Sequence, residues 1–205
     1  MRRIPLSRRS HITGFQALGV SRATQHESTL ERDFVMLATF QDATAQIISQ
    51  PITLAFQDDS GPRRYTPDYL VRWTDGRSEL VEVKYRADLR ENWSRLRPAF
   101  EIARSWAHEH QARFRIATER GIRCPMLANA RRLLPLRTVP LDVHIAEEVR
   151  AAIRSLSEPT FGELVAMLPN DRGSVLGALW RMIARSDLRA DLTAPIGFHT
   201  RLALP

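Results

Sequence analysis

The chain has 205 residues, 43% of them hydrophobic, with a formal net charge of +7; that length supports one good core, or one core and a small second domain. The basic balance points to a polyanionic partner, with nucleic acid the default. The single cysteine, Cys124, excludes an intrachain disulfide and any Cys-rich zinc site; no apolar run has the length of a signal sequence or a membrane span, so a soluble, cytoplasmic protein is expected.

Residues 1–22 carry Arg2, Arg3, Arg8, Arg9 and Arg22 and no acid, which reads as a flexible basic arm. In "ESTLERDFVMLATF" the residues Leu30, Phe34 and Leu37 make a one-sided apolar stripe, predicting a helix. "AQIISQPITLAF" follows, where Ile52, Leu54 and Phe56 alternate as in a strand that has Pro51 near its start. "QDDSGPRR" is a predicted turn. Strands over 65–73 and 77–85 flank "TDG" and predict a hairpin. Residues 90–111 have a helical pattern, and "RFRIAT" reads as a short strand. Pro135 and Pro140 in "LANARRLLPLRTVPLD" mark a domain boundary, which gives a first domain over 23–136 and a second over 141–205. Within the second, "LDVHIAEEVRAAIRSL", "TFGELVAML" and "SVLGALWRMIAR" predict three helices, the middle one opened by a capping box of Thr160 and Glu163. The tail adds two strand-like pieces. Three helices and a small β wing suggest a winged helix-turn-helix.

One of the 30 basic residues is lysine, and it lies in the hairpin as Lys84. A three-residue loop, Thr74-Asp75-Gly76 with Gly76 left-handed, puts Asp68 directly opposite Glu82, with Lys84 two residues on along the same face. The other face collects Tyr69, Val71, Trp73, Val81, Val83 and Tyr85 as a core face. Two carboxylates about 5 Å apart at Cβ are unfavourable unless a cation lies between them. Lys84 supplies one charge, and hard oxygen ligands suit Mg²⁺ or Mn²⁺. A compact ammonium fits beside a phosphate where a planar guanidinium does not. A half-buried hairpin with an incidental salt bridge would carry the same residues. A third acid is available from Glu27 or Glu31, four residues apart on the preceding helix; both spell capping boxes, with Thr24 and Ser28 respectively, and a helix has only one start.

Taken in order, "ESTLERDFVMLATF", "SQP", "YTPDYLV…DGRSELVEVKY", "FRIATERGIRCPMLANARRLL" and "MIARSDLRADL" resemble the TnsA family, the endonuclease subunit of Tn-seven-like heteromeric transposases. The resemblance covers roughly residues 24–200. It implies an α/β fold: a restriction-endonuclease-like mixed sheet of the PD-(D/E)xK class flanked by helices, followed by a small winged-helix domain. It implies a catalytic set of Glu31, Asp68, Glu82 and Lys84 and selects Glu31 over Glu27 as the helix acid. Two Mg²⁺ ions, with Mn²⁺ able to substitute, would be held by Glu31, Asp68, Glu82 and the carbonyl of Val83. Lys84 would orient the attacking water or stabilise charge at the phosphate.

The implied activity is hydrolysis of the non-transferred strand at each end of a transposon, in double-stranded DNA, within a bacterial cell. The DDE transposase TnsB would act on the other strand, and the C-terminal domain would engage the AAA+ regulator TnsC. The short C-terminal domain departs from the family and makes that last contact the weakest carry-over. Candidate DNA contacts are Arg2, Arg3, Arg8, Arg9, Arg63, Arg64 and Arg86. A stand-alone restriction or repair nuclease and a non-catalytic DNA-binding adaptor are the competing readings.

Other features have plainer explanations. His108 and His110 point to different sides of a helix and suit a solvated surface rather than a metal. Trp93 and Trp106 suit core packing, support of the site is the less favoured reading of Gln50 before Pro51, and His26 lies near the helix start. Arg181, Arg185 and Arg189 lie on or just after the third helix but are diluted by Asp187 and Asp191, which favours protein docking over DNA reading.

Overall fold

The structure is a computed structural model, in which residues 14–17, 23–26, 29–58 and 61–205 are described. The chain forms two compact units, residues 1–123 and 124–205.

The first unit is built on a four-stranded sheet. Its strands are β3 (Gln46–Ser49), β6 (Tyr69–Arg72), β7 (Ser78–Val83) and β8 (Arg113–Ala117), adjacent in that order. β3, β6 and β7 run antiparallel, while β7 and β8 are parallel. The parallel pair needs a long crossover, supplied by α2 (Arg86–Glu91) and α3 (Trp93–Glu109). Helix α1 (Thr29–Gln41) packs on one face through Phe34, whose ring lies 5.5 Å from that of Tyr69. On the other face Ala103 and Ala107 of α3 close over Leu70 and Leu80, with Leu54 beside them. The hairpin therefore has a core on both sides, where one core face was expected. Leucines hold the middle of the second face, and the charged residues gather at its end.

Two expected strands are each split in the fold. The expected single strand through Ile52, Leu54 and Phe56 is interrupted: β3 ends at Ser49, Gln50 takes φ +47 and β4 (Leu54–Asp58) begins afresh. Pro51 has no N–H to continue a ladder, so the chain leaves one sheet and starts another. β4 pairs with β5 (Gly61–Tyr65) in a separate two-stranded sheet, so the "QDDSGPRR" reversal lies within a hairpin. The expected strand over 65–73 is likewise two pieces, with Tyr65 ending β5 and Tyr69 opening β6. The basic arm lies outside the described residues except for β1 (Gly14–Ala17), which pairs with β2 (Ala23–His26). A short helix, α4 (Glu119–Ile122), follows β8.

The second unit begins earlier than the proline-rich stretch suggested, with α5 (Pro125–Leu133) and a 3₁₀ turn over Leu134–Leu136. Leu127, Ala130 and Leu133 are buried on one side of α5. The three expected helices form as α6 (Val143–Ser155), α7 (Phe161–Met167) and α8 (Arg172–Ala184). Asp142 caps α6 and Asp171 caps α8, while Thr160 and Glu163 make both bonds of the capping box on α7. The tail forms two isolated antiparallel bridges, Thr160 to Arg201 and Arg189 to Ala203, in place of the expected strands. Gly162 lets the tail approach α7: a Cβ there would meet the Phe198 carbonyl at 3.0 Å.

Candidate active site

β7 is one of the two inner strands of its sheet, yet it buries two glutamates, Glu79 and Glu82. A buried carboxylate requires partners. Alternation sends the two to opposite faces. Glu79 accepts from Trp73 Nε1 at 3.2 Å and from Arg115 at 3.0 Å. Glu82, on the other face, accepts from Lys84 Nζ through Oε1 at 2.8 Å and from the Tyr65 hydroxyl through Oε2 at 2.7 Å.

The hairpin register is the one expected. Tyr69 faces Val81 and Arg72 faces Ser78, Trp73 N–H donates to the Arg77 carbonyl, and Gly76 has φ +88. This register carries Asp68 to the position opposite Glu82. Hydrogen-bonded pairs alternate along an antiparallel ladder, so Pro67 stands where the next such pair would form with Val83. Proline keeps a carbonyl but has no N–H to complete that pair, and β6 begins only at Tyr69. The Val83 N–H goes instead to the Asp68 side chain, whose Oδ2 accepts it at 2.7 Å. The Asp68 carbonyl meanwhile accepts Gln50 N–H at 2.7 Å. Gln50 thus supports the site with its backbone.

Burial, Glu82 and Glu31, in that order, push the Asp68 carboxyl well above the usual carboxylate range, against the Val83 bond and Lys84. Burial by itself would lower the Lys84 pKa, but Glu82, Asp68 and Glu31 outweigh it and the ammonium is held more firmly. Burial and the charge of Glu82 also raise the Tyr65 phenol, keeping it a donor. Glu31 on α1 is therefore within electrostatic reach of the site that the other three residues share. Among the described residues no three His, Cys, Asp and Glu side chains are drawn together as a ready-made metal site. Three carboxylates acting on one another against one ammonium nevertheless leave an excess of negative charge on hard oxygen donors. That charge and donor set fits a divalent magnesium-like ion.

A second group of residues braces the site. Asp33, buried on α1 two residues after Glu31, meets Arg123 Nε at 3.6 Å. Arg123 donates to the Tyr85 hydroxyl at 3.0 Å and lies over the Tyr85 ring at 5.5 Å. The Tyr85 hydroxyl is also 3.4 Å from Thr29 Oγ1 at the start of α1. The residue that follows Lys84 is so tied to the helix that carries Glu31. Neither this brace nor Tyr65 was anticipated from the sequence. The one available signal was the position of Tyr65 at the head of "YTPD".

Arg63 and Arg64 are exposed on β5, Arg63 pairing with Asp58 at 3.3 Å. Arg86 is exposed at the start of α2, where its backbone N–H is held by Glu119 at 3.0 Å. Arg2, Arg3, Arg8, Arg9 and Glu27 lie outside the described residues. His110 stacks on Trp106, with ring centroids 4.0 Å apart, and Trp106 packs against the α3 core. Trp93 is 48% exposed, more than core packing required, although its ring still lies 6.1 Å from Phe100.

Residues 41–119 match the family model described as TnsA-like endonuclease N terminal. The matched segment contains Asp68, Glu82 and Lys84; Glu31 and the whole second unit fall outside it. No curated protein matches the chain.

Proposed function

We propose, from the match of residues 41–119 to the TnsA-like endonuclease N-terminal family model, that the protein is the metal-dependent DNA endonuclease subunit of a heteromeric transposase. It hydrolyses the non-transferred strand at transposon ends. The observation that carries this reading is the meeting of Asp68, Glu82 and Lys84 at one end of a buried hairpin.

Asp68, Glu82 and Glu31, with the carbonyl of Val83, are the residues that would hold Mg²⁺. A bound Mg²⁺ supplies polarisation of the scissile phosphate and of water. Lys84 keeps a compact positive charge beside Glu82, where it steadies charge that develops on the phosphate. Arg63, Arg64 and Arg86, with the arginines of the N-terminal segment, provide phosphate contacts that position the duplex without reading its sequence.

The three helices and bridged tail of residues 141–205 suit a small winged-helix domain. We assign it to docking on an AAA+ regulator of the TnsC type rather than to DNA. Arg185 supports this, because its guanidinium is already bound to the Val139 carbonyl at 2.6 Å.

The test is strand-specific nicking of transposon-end duplexes with Mg²⁺ and the DDE transposase TnsB present. The reading expects cuts confined to the non-transferred strand. They should be lost with EDTA and with Asp68→Ala. Equal cutting of unrelated duplexes without the transposase would instead identify a stand-alone nuclease, and no cutting under any of these conditions a DNA-binding adaptor.

A further inference from the structure

Glu82 has both carboxylate oxygens engaged, and its two partners differ in kind. Lys84 reaches Oε1 from two residues along the same strand, with 32% of its side chain exposed. Tyr65 reaches Oε2 from another sheet. It is the last residue of β5, opposite Leu54, and the Thr53 and Thr66 hydroxyls bond at 2.8 Å beside that pair. Its ring is seated edge-on against Phe100 of α3, with centroids 6.0 Å apart, and packs on the Leu70–Leu80 core. The phenol is therefore positioned by a strand end and a helix before it makes its bond to Glu82.

We propose that Tyr65 is a positioning residue for the nuclease: it anchors Glu82 through Oε2 and leaves Oε1, shared with Lys84, as the exchangeable oxygen. A phenol suits this task for a physical reason. It donates a hydrogen bond without bringing positive charge, so the carboxylate keeps its full charge for a cation. A lysine or arginine in the same place would orient Glu82 equally well and compete with the cation. The idea rests on the metal-dependent reading for its consequence but not for its geometry, and the two can be tested apart.

The full chain is compared with Tyr65→Phe, which keeps the ring against Phe100 and removes only the hydroxyl. The first readout is the side-chain carboxyl ¹³C resonance of Glu82 in glutamate-labelled protein without divalent ions, assigned by its loss in Glu82→Gln. The expected result is a shifted or exchange-broadened line in Tyr65→Phe, with unfolding still cooperative. The second is Mn²⁺ affinity by calorimetry, expected to weaken about 10-fold or more, the range for loss of an outer partner of a metal ligand. The third is nicking, where kcat falls while KM for DNA is unchanged. An unaltered Glu82 resonance overturns the anchor, and an altered resonance with unaltered Mn²⁺ affinity overturns its role in presenting Glu82. If wild-type protein binds no Mn²⁺, the metal-dependent function fails, and the resonance by itself decides whether Tyr65 anchors Glu82.

Discussion

The carboxylate of Asp68 accepts the peptide N–H of Val83 at 2.7 Å, so this acid is tied to β7 at the residue between Glu82 and Lys84. The bond separates two roles that one substitution would otherwise confuse. Asp68→Asn keeps an oxygen acceptor for Val83 and removes the charge, while Asp68→Ala removes both.

The Asp68 carboxyl has its pKa raised in the folded chain, first by burial and then by Glu82 and Glu31. The native state therefore holds this proton to higher pH than the unfolded state does. Its contribution favours folding below the unfolded value and is lost as pH rises through the folded one. Asp68→Asn is expected to stabilise the fold at neutral pH in EDTA by about 1–2 kcal/mol, as when a buried ionic group gives way to a neutral one of similar volume. Asp68→Ala is expected to fall below Asp68→Asn by about 1–2 kcal/mol, for the unsatisfied Val83 N–H. Urea unfolding between pH 4 and 8 checks both. The wild-type decline toward high pH should flatten in the asparagine variant, and neither variant should nick DNA.

The hairpin register was legible because a three-residue loop ending in glycine has few solutions. The observed φ of Gly76 and the facing of Tyr69 with Val81 follow from that local chemistry. What crosses between elements was not legible. Tyr65 read as the start of a long strand, and only Pro67 and the split into β5 and β6 turn it back toward Glu82. Glu79 was passed over because a glutamate among apolar residues of a core face gives no hint of Arg115, a neighbour one crossover away. Helix α5 was masked by Pro135 and Pro140, which lie beyond its last residue.

Arg123 is expected to matter more to the site than its exposed position suggests. It links buried Asp33 on α1 to Tyr85, which follows Lys84. Arg123→Ala removes one partner of a buried acid, but the pair is 3.6 Å long and the arginine is 46% exposed. A loss of about 1–2 kcal/mol is expected, below the range for fully buried pairs. Because α1 also carries Glu31, nicking should fall further than stability accounts for at a temperature where the variant is folded. Tyr85→Phe should reproduce part of the activity loss with less effect on unfolding.

The two sets of arginines should separate by their response to salt. Arg63 and Arg64 are exposed on β5, whereas Arg185 is committed to the Val139 carbonyl. If the first pair contacts phosphates, Arg63→Ala and Arg64→Ala should each weaken duplex binding and flatten the plot of log affinity against log salt by about 0.9. Arg185→Ala should leave that slope unchanged and reduce stability instead. Fluorescence anisotropy over a salt series measures the slope, and thermal unfolding measures the rest.

Lys84 and Tyr65 hold the two oxygens of one carboxylate, and they should respond to substitution in opposite directions. Removing Lys84 takes away a cation that shares Oε1, so Lys84→Ala is expected to bind Mn²⁺ at least as tightly as wild type. Its nicking should nevertheless fall by the equivalent of about 2–4 kcal/mol of barrier, as for loss of one preorganised charge stabiliser. Lys84→Arg keeps the charge but offers a planar fork that tends to take both oxygens of a carboxylate. That fork would contend with Tyr65 for Oε2 as well as with the metal for Oε1. Lys84→Arg should therefore lose both nicking and Mn²⁺ affinity, although a simple salt bridge would accept arginine with little penalty. Calorimetry with Mn²⁺ and nicking assays on the same preparations distinguish the cases. Wild-type-like nicking by Lys84→Arg would reduce the chain's one lysine to a salt-bridge partner of Glu82.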